Sequence, residues 1–375
     1  MEKHFYLPLD QLKQFEKDVF TGLGVPQDEA EICADALNAA DRRGIDSHGI
    51  GRLKPIYYDR IVKFKVQNAR TDFQIERDKA ATAVVNGNNG MGFVVAKRAM
   101  DMAIDKARTY GIGMVIAKNS THYGIAAYYP MMATAQDMIG ITGTNARPST
   151  APTWGVENML GTNPLVFAVP TDEPFPFTND YATSTAQRGK IEQYAREGKS
   201  MPPGWVVGQD GKSKTDPDEV LRALVNGKAA LTPLGGIGEE LGGHKGYGYS
   251  TVVELLSAGL QLGPFLKQTS GVQDGTKVPI LLGHFFIAID VEHFADVSAV
   301  KKQMGDILRG LRNSLKSDDA ERIYTHGEKE YLHSLEREKS GVPVPNVTCE
   351  QMSQMRDELN LDYRFEWDAK KREER

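Results

Sequence analysis

Apolar residues at Leu12, Phe15, Val19 and Phe20 recur every three or four positions, and Gly22 and Gly24 follow them. That spacing buries one face of a helix, so the chain is expected to open on one. A second helix is predicted from Pro26, which suits a first turn. It carries acids at Asp28 and Glu29, runs through Ile32, Cys33, Leu37 and Ala40, and stops at Gly44. A short basic, tyrosine-containing segment then leads to about Lys65. Beyond it the period changes. Runs at 83–85, 113–117, 139–142, 165–168 and 284–290 read as strands. The 3.6-residue pattern predicts helices over 91–110, 123–136, 185–197 and 247–262. Strands alternating with helices indicate an α/β layer structure. From Val297 the pattern is helical again, with Val300, Met304, Ile307, Leu308 and Leu311 in step. The expected outline is a helical domain built from 1–75 and 295–375 around an α/β domain over 76–294. The charge-rich tail from Asp368 is expected to fray.

Composition adds mainly exclusions. The 375 residues suffice for one large or two ordinary domains. A hydrophobic content of 40% with 25% charged residues describes a globular chain. A net charge of −5 gives no electrostatic reason to expect nucleic acid or an anionic membrane as partner. No apolar run approaches a membrane span, and the start, Met1 to Phe5, precedes no apolar signal core. Cys33 and Cys349 are the only cysteines, too few for a disulfide framework or a Cys-rich zinc site. A reducing, cytoplasmic setting is therefore expected. The eight histidines do not fall at metal-ligand spacing, so no metal site is predicted.

The densest chemistry lies in Asp46-Ser47-His48-Gly49-Ile50-Gly51-Arg52-Leu53, just past the second helix. The imidazole of His48 titrates near neutral pH and can exchange a proton. Arg52, four residues on, offers a planar fork for a carboxylate. Alone, the segment reads equally well as a capped helix start. The chain carries no convincing dinucleotide fingerprint. Gly87 to Gly92 carries its glycines in reverse spacing, and Gly236 to Gly242 follows a poor strand and contains adjacent acids, Glu239 and Glu240. Ser120 to Gly124 follows a predicted strand and opens a helix, where backbone N–H groups favour anions; capping explains it as well. Lys245 stands at the start of the 247–262 helix, in the segment just before it and against its dipole, and a bound phosphate would give it a reason.

Taken together the motifs resemble the malate/L-lactate dehydrogenase family, which also contains sulfolactate, ureidoglycolate and diketogulonate enzymes. The matches are DSHGIGRL at 46–53, THYGIA at 121–126, GTNPLVFAVP at 161–170, DYATSTAQRGKIE at 180–192, GGHKGYG at 242–248 and GHFFIAID at 283–290. The malate branch is the nearest in pattern. The resemblance implies a nicotinamide-binding α/β fold that is not a Rossmann domain, a homodimer, and NAD as cofactor with NADP the alternative. It implies that Ser47 and His48 are the catalytic pair, that Arg52 holds the substrate carboxylate and that Thr162 lies at the substrate. His122, Tyr123, Gly124, Ile125, Ala126, Asp180, Tyr181, Ala182, His244, Lys245, His326, Gly327 and Glu328 match stretches lining the cofactor. His326 stands where the family has proline. Lys190 stands where some members carry a relay aspartate, so that relay is not carried over. Lys190 becomes instead a candidate for a second substrate carboxylate, or a solvated helix residue. The expected reaction is reversible hydride transfer at C2 of an L-2-hydroxy acid, malate first, with lactate, sulfolactate or a 2-oxo or imino acid as alternatives. A catalytically silent nucleotide-binding relative is the reading from another class, and the intact Ser47-His48-Arg52 trio argues against it.

Overall fold

The structure is a computed structural model and describes residues 4–373. Among them a seven-stranded sheet runs in the order Gln74–Lys79, Thr82–Asn86, Ile112–Ser120, Leu282–Asp290, Met138–Thr144, Leu165–Val169, Phe177–Asn179. One neighbouring pair, Thr82–Asn86 with Ile112–Ser120, is parallel, joined by the crossover helix Gly92–Tyr110. Every other pair in the sheet is antiparallel. A dinucleotide site of the usual kind needs the carboxyl ends of several parallel strands, and this mixed sheet does not provide them. The late strand Leu282–Asp290 wedges into the centre, pairing Phe286 with Val115 on one side and Thr142 on the other.

The crossover helix lies on the sheet through a stripe of small residues, Ala96, Ala99, Ala103 and Ala107, all fully buried. Small side chains at i, i+3 and i+4 let the helix axis approach the strands closely. Its N-terminus is not open to a ligand. Thr121 Oγ1 accepts the Gly92 N–H at 3.0 Å and donates to the Gly90 carbonyl at 2.8 Å. The glycine turn at 87–92 is therefore closed by protein.

The helices Leu9–Gly22 and Gln27–Arg42 form as expected. They share a core with Val342, Val344, Met352, Phe365 and Trp367 from the far end of the chain. A short antiparallel ribbon, His4–Leu7 with Val342–Pro345, ties the two ends together, an element periodicity did not predict. Phe93 of the crossover helix belongs to this same core, its ring 4.8 Å from Tyr57 and 6.2 Å from Phe20. Burying each such ring contributes about 1.5–3 kcal/mol, so the terminal helices and the sheet are joined under the segment that follows Asp46.

Several boundaries differ from expectation. The helix predicted over 123–136 is Tyr128–Thr134, because 121–127 is a loop. The one predicted over 185–197 is Arg188–Arg196, and the long apolar helix is Gly243–Ala258, followed by a 3-10 turn. The tail expected to fray is helical over Glu366–Glu373, and 374–375 lie outside the described residues. Small strands at Val206–Gly208 and Ala229–Leu231 pair beside a third apolar cluster around Ile191 and Val220.

Candidate active site

The second helix ends at Arg42, and the chain turns back so that Ile50 N–H donates to Asp41 Oδ2 at 2.8 Å. Asp41 is 1% exposed and lies beside Glu16, which is 0% exposed. Gly49 is required there: a Cβ would fall 1.9 Å from Asp41 Oδ1. Arg337 clamps the same turn from the C-terminal side, pairing with Asp46 and donating to the Asp41 carbonyl. A 3-10 turn, Ile50–Arg52, then runs into a π-helical stretch, Leu53–Tyr58. Pro55 inside it has no N–H to give to an ordinary helical turn, and wide turns of this kind recur at functional sites.

This scaffold puts Ser47, His48 and Arg52 on one cavity of about 310 Å³. Ser47 Oγ is 2.8 Å from His48 Nδ1, and Arg52 Nε donates to the Ser47 carbonyl at 2.5 Å. The opposite wall comes from three distant segments: His122, Gly124, Ile125 and Ala126; Thr162 and Pro164; Asp180, Tyr181 and Ala182. His122 lies nearly parallel to His48 with ring centroids 5.8 Å apart. Its Nδ1 accepts the Gly124 N–H at 3.3 Å and faces the Tyr57 hydroxyl at 2.6 Å. In the neutral ring the proton therefore sits on Nε2. Gly124 has φ +78°, and a Cβ would meet the Phe93 ring at 2.6 Å, so this loop depends on glycine.

Electrostatics favour neutral imidazoles. Burial, then the Arg52 charge, holds His48 down to about 4. Burial first, then His48, Arg60 and Arg52, holds His122 well below the usual histidine value. Burial lifts Asp180 to about 6, although its Oδ2 accepts the Ala127 N–H at 3.0 Å. A neutral base, a guanidinium and a small mixed-polarity cavity can take a proton from a hydroxyl beside a bound carboxylate.

The other predicted site residues lie elsewhere. Tyr123 is behind the wall, stacked on His284 at 4.5 Å. His326 touches the cavity's edge through Tyr181, ring centroids 5.9 Å apart. Gly327 has φ +93°, and Glu328 is buried, accepting the Thr325 N–H and pairing with Arg322. Lys245 lines a separate hollow with Gly242 and Tyr249, while His244 has a buried Nδ1 with no hydrogen-bond partner among the described residues. Lys190 is exposed and not part of the lining: its Nζ donates to Gln193 and stands 5.8 Å over the Tyr194 ring. Gln187, Arg188 and Gly189 line the cavity instead. Arg188 falls inside the 180–192 motif, with no role implied for it there. Its signal was a cation at a helix N-terminus, the argument applied to Lys245. The partnership of Tyr57 with His122 left no sequence signal.

The sequence model of the family described as malate/L-lactate dehydrogenase matches residues 7–353. The chain is 42% identical to malate dehydrogenase of Pyrococcus horikoshii over 96% of its own length and 97% of that protein. It is 37% identical to L-sulfolactate dehydrogenase of Methanocaldococcus jannaschii, covering 92% of this chain and 94% of the other. Among solved structures, malate dehydrogenase from Entamoeba histolytica superposes with a TM-score of 0.93 at 44% identity, over 97% of this chain and 100% of that one.

Proposed function

The chain belongs to the malate/L-lactate dehydrogenase family, and from that premise we propose that it interconverts an L-2-hydroxy acid and its 2-oxo acid, malate and oxaloacetate first. The observation that carries this reading is the meeting of Ser47, His48 and Arg52 with His122, Thr162 and Asp180 around one cavity. When bound, the nicotinamide supplies the hydride acceptor. The residues present fit such a group: Gly124, Ile125, Ala126 and Ala182 make a small apolar wall beside Ser47, His48 and Arg52. The flanking stretches at 122–126, 180–182, 244–245 and 326–328 are the residues proposed to hold it, with NAD as the cofactor.

In this mechanism Arg52 holds the C1 carboxylate through its Nη atoms, since its Nε is engaged by the Ser47 carbonyl. With the proton carried on His48 Nδ1, 2.8 Å from Ser47 Oγ, Nε2 is left as the base for the C2 hydroxyl proton. As hydride leaves C2, the imidazole takes that proton. In the reverse direction the imidazolium stabilises the developing alkoxide, a transition-state contribution. Substrate carboxylate on Arg52 offsets the charge that holds His48 down, so binding makes the imidazole more basic when it must accept a proton. Thr162, on the opposite wall, completes the substrate contacts.

The homodimer is proposed to use the helix Gly243–Ala258, which leaves Tyr249, Val252 and Leu255 exposed beside an apolar groove of about 560 Å³. Among the described residues no helix is long and apolar enough to cross a membrane, and a cytoplasmic setting is proposed. The test is oxidation of NADH and of NADPH with oxaloacetate, pyruvate, sulfopyruvate and 2-oxoglutarate. Fastest turnover is expected with oxaloacetate and NADH. Cofactor binding without turnover of any 2-oxo acid would overturn the reading.

A further inference from the structure

Two arginines are among the residues lining the cavity, Arg52 and Arg188. Arg52 spends its Nε on the Ser47 carbonyl, and Arg188 spends its Nε on Glu192 Oε1 at 2.9 Å. The cation at 188 has Glu192, four residues on, as its local ion-pair partner. It is the first residue of the helix Arg188–Arg196, where positive charge opposes the macrodipole. Its pairing with Glu192 is an exposed contact with Arg N-terminal to Glu, the weaker orientation. That partner is therefore easily exchanged for an anion in the cavity. The lining carboxylate, Asp180, is turned to the Ala127 N–H and does not neutralise either arginine. One guanidinium is enough for the carboxylate beside the reacting carbon, so the second is left over.

We propose that Arg188 binds a second anionic group of the substrate, a carboxylate or sulfonate on C3, and so selects dianionic over monoanionic 2-hydroxy acids. This rests on the hydroxy-acid dehydrogenase reading above. Lys190, two residues further along the helix, is rotated away toward Gln193 and Tyr194 and does not share this role.

The experiment compares wild type, Arg188→Ala and Arg188→Lys in reduction of oxaloacetate, sulfopyruvate and pyruvate, with NADH binding read by fluorescence. Loss of a charge-assisted contact predicts that Arg188→Ala lowers kcat/KM for oxaloacetate or sulfopyruvate about 10–100-fold, chiefly through KM. Pyruvate turnover and NADH binding stay near wild type, and Arg188→Lys keeps part of the selectivity. The relative loss on oxaloacetate and sulfopyruvate tells a carboxylate from a sulfonate preference. Equal losses on all three substrates, no loss on any, or a loss of NADH affinity overturns the proposal. A wild-type enzyme that turns over none of the three overturns the function reading itself, a separate outcome.

Discussion

Gly49→Ala tests the support beneath His48. The new methyl would lie 1.9 Å from Asp41 Oδ1 and 2.2 Å from its Cγ. Asp41 has nowhere to retreat, since it is 1% exposed, accepts the Ile50 N–H and adjoins the fully buried Glu16. Losing its acceptor leaves the buried Ile50 N–H orphaned, at roughly 1–3 kcal/mol. Overpacking adds about 1–3 kcal/mol, so the expected destabilisation is about 2–6 kcal/mol. His48 is the neighbouring residue, and a shift of about 1 Å at a catalytic group can cost on the order of 10²-fold in rate. The assay pairs urea unfolding with kcat on oxaloacetate, in a cycle with Asp41→Ala. Removing the carboxylate clears room for the methyl, so the double variant should be no less stable than Asp41→Ala alone. Additive losses would refute the contact, because distant sites add and touching ones do not.

Further outcomes follow from the same geometry. His48→Ala should lower kcat about 10²–10⁴-fold while NADH affinity holds; unchanged turnover removes His48 from the mechanism. His48, held down to about 4 by burial and then by Arg52, should titrate there by NMR in the free enzyme. Arg52→Gln should move that midpoint upward, and a midpoint near 6.5 in wild type contradicts the electrostatics. Burial lifts the Asp41 carboxyl from 3.8 to about 7, so its protonation stabilises the fold below 3.8 and that contribution is lost as pH rises through about 7. The stability of wild type relative to Asp41→Asn should therefore fall between pH 4 and 8, and a flat difference by urea unfolding would count against it. Leu255→Glu should halve the mass seen by sedimentation if Gly243–Ala258 is the dimer face.

Much of the local structure was legible. The helix predicted over 91–110 is observed as Gly92–Tyr110, and the 284–290 strand lies within Leu282–Asp290. Both carry strong apolar periods, and their hydrogen bonds and buried faces follow from neighbouring residues. The loop 121–127 misled because Tyr123 and Ala126 are apolar three residues apart, yet Ile125 and Ala126 wall a cavity while Tyr123 backs onto His284. Pairing between His4–Leu7 and Val342–Pro345 was invisible, since short strands gain their partner only through folding of the whole chain.

From its residues alone this chain determined the alternation of helices and strands, the turn chemistry of 46–53 and the motif order that placed it in a family. Those properties are written in neighbouring side chains and in spacing. Tertiary structure decided which of them meet. It set the antiparallel central strand that rules out a doubly wound sheet, the stacking of His48 on His122 and the buried Asp41–Glu16 pair under the 46–53 turn. It also put Arg188 on the cavity lining and left Lys190 exposed and off it. The direction of a side chain, and the water it loses, depend on which distant surfaces pack together, and no local period records that.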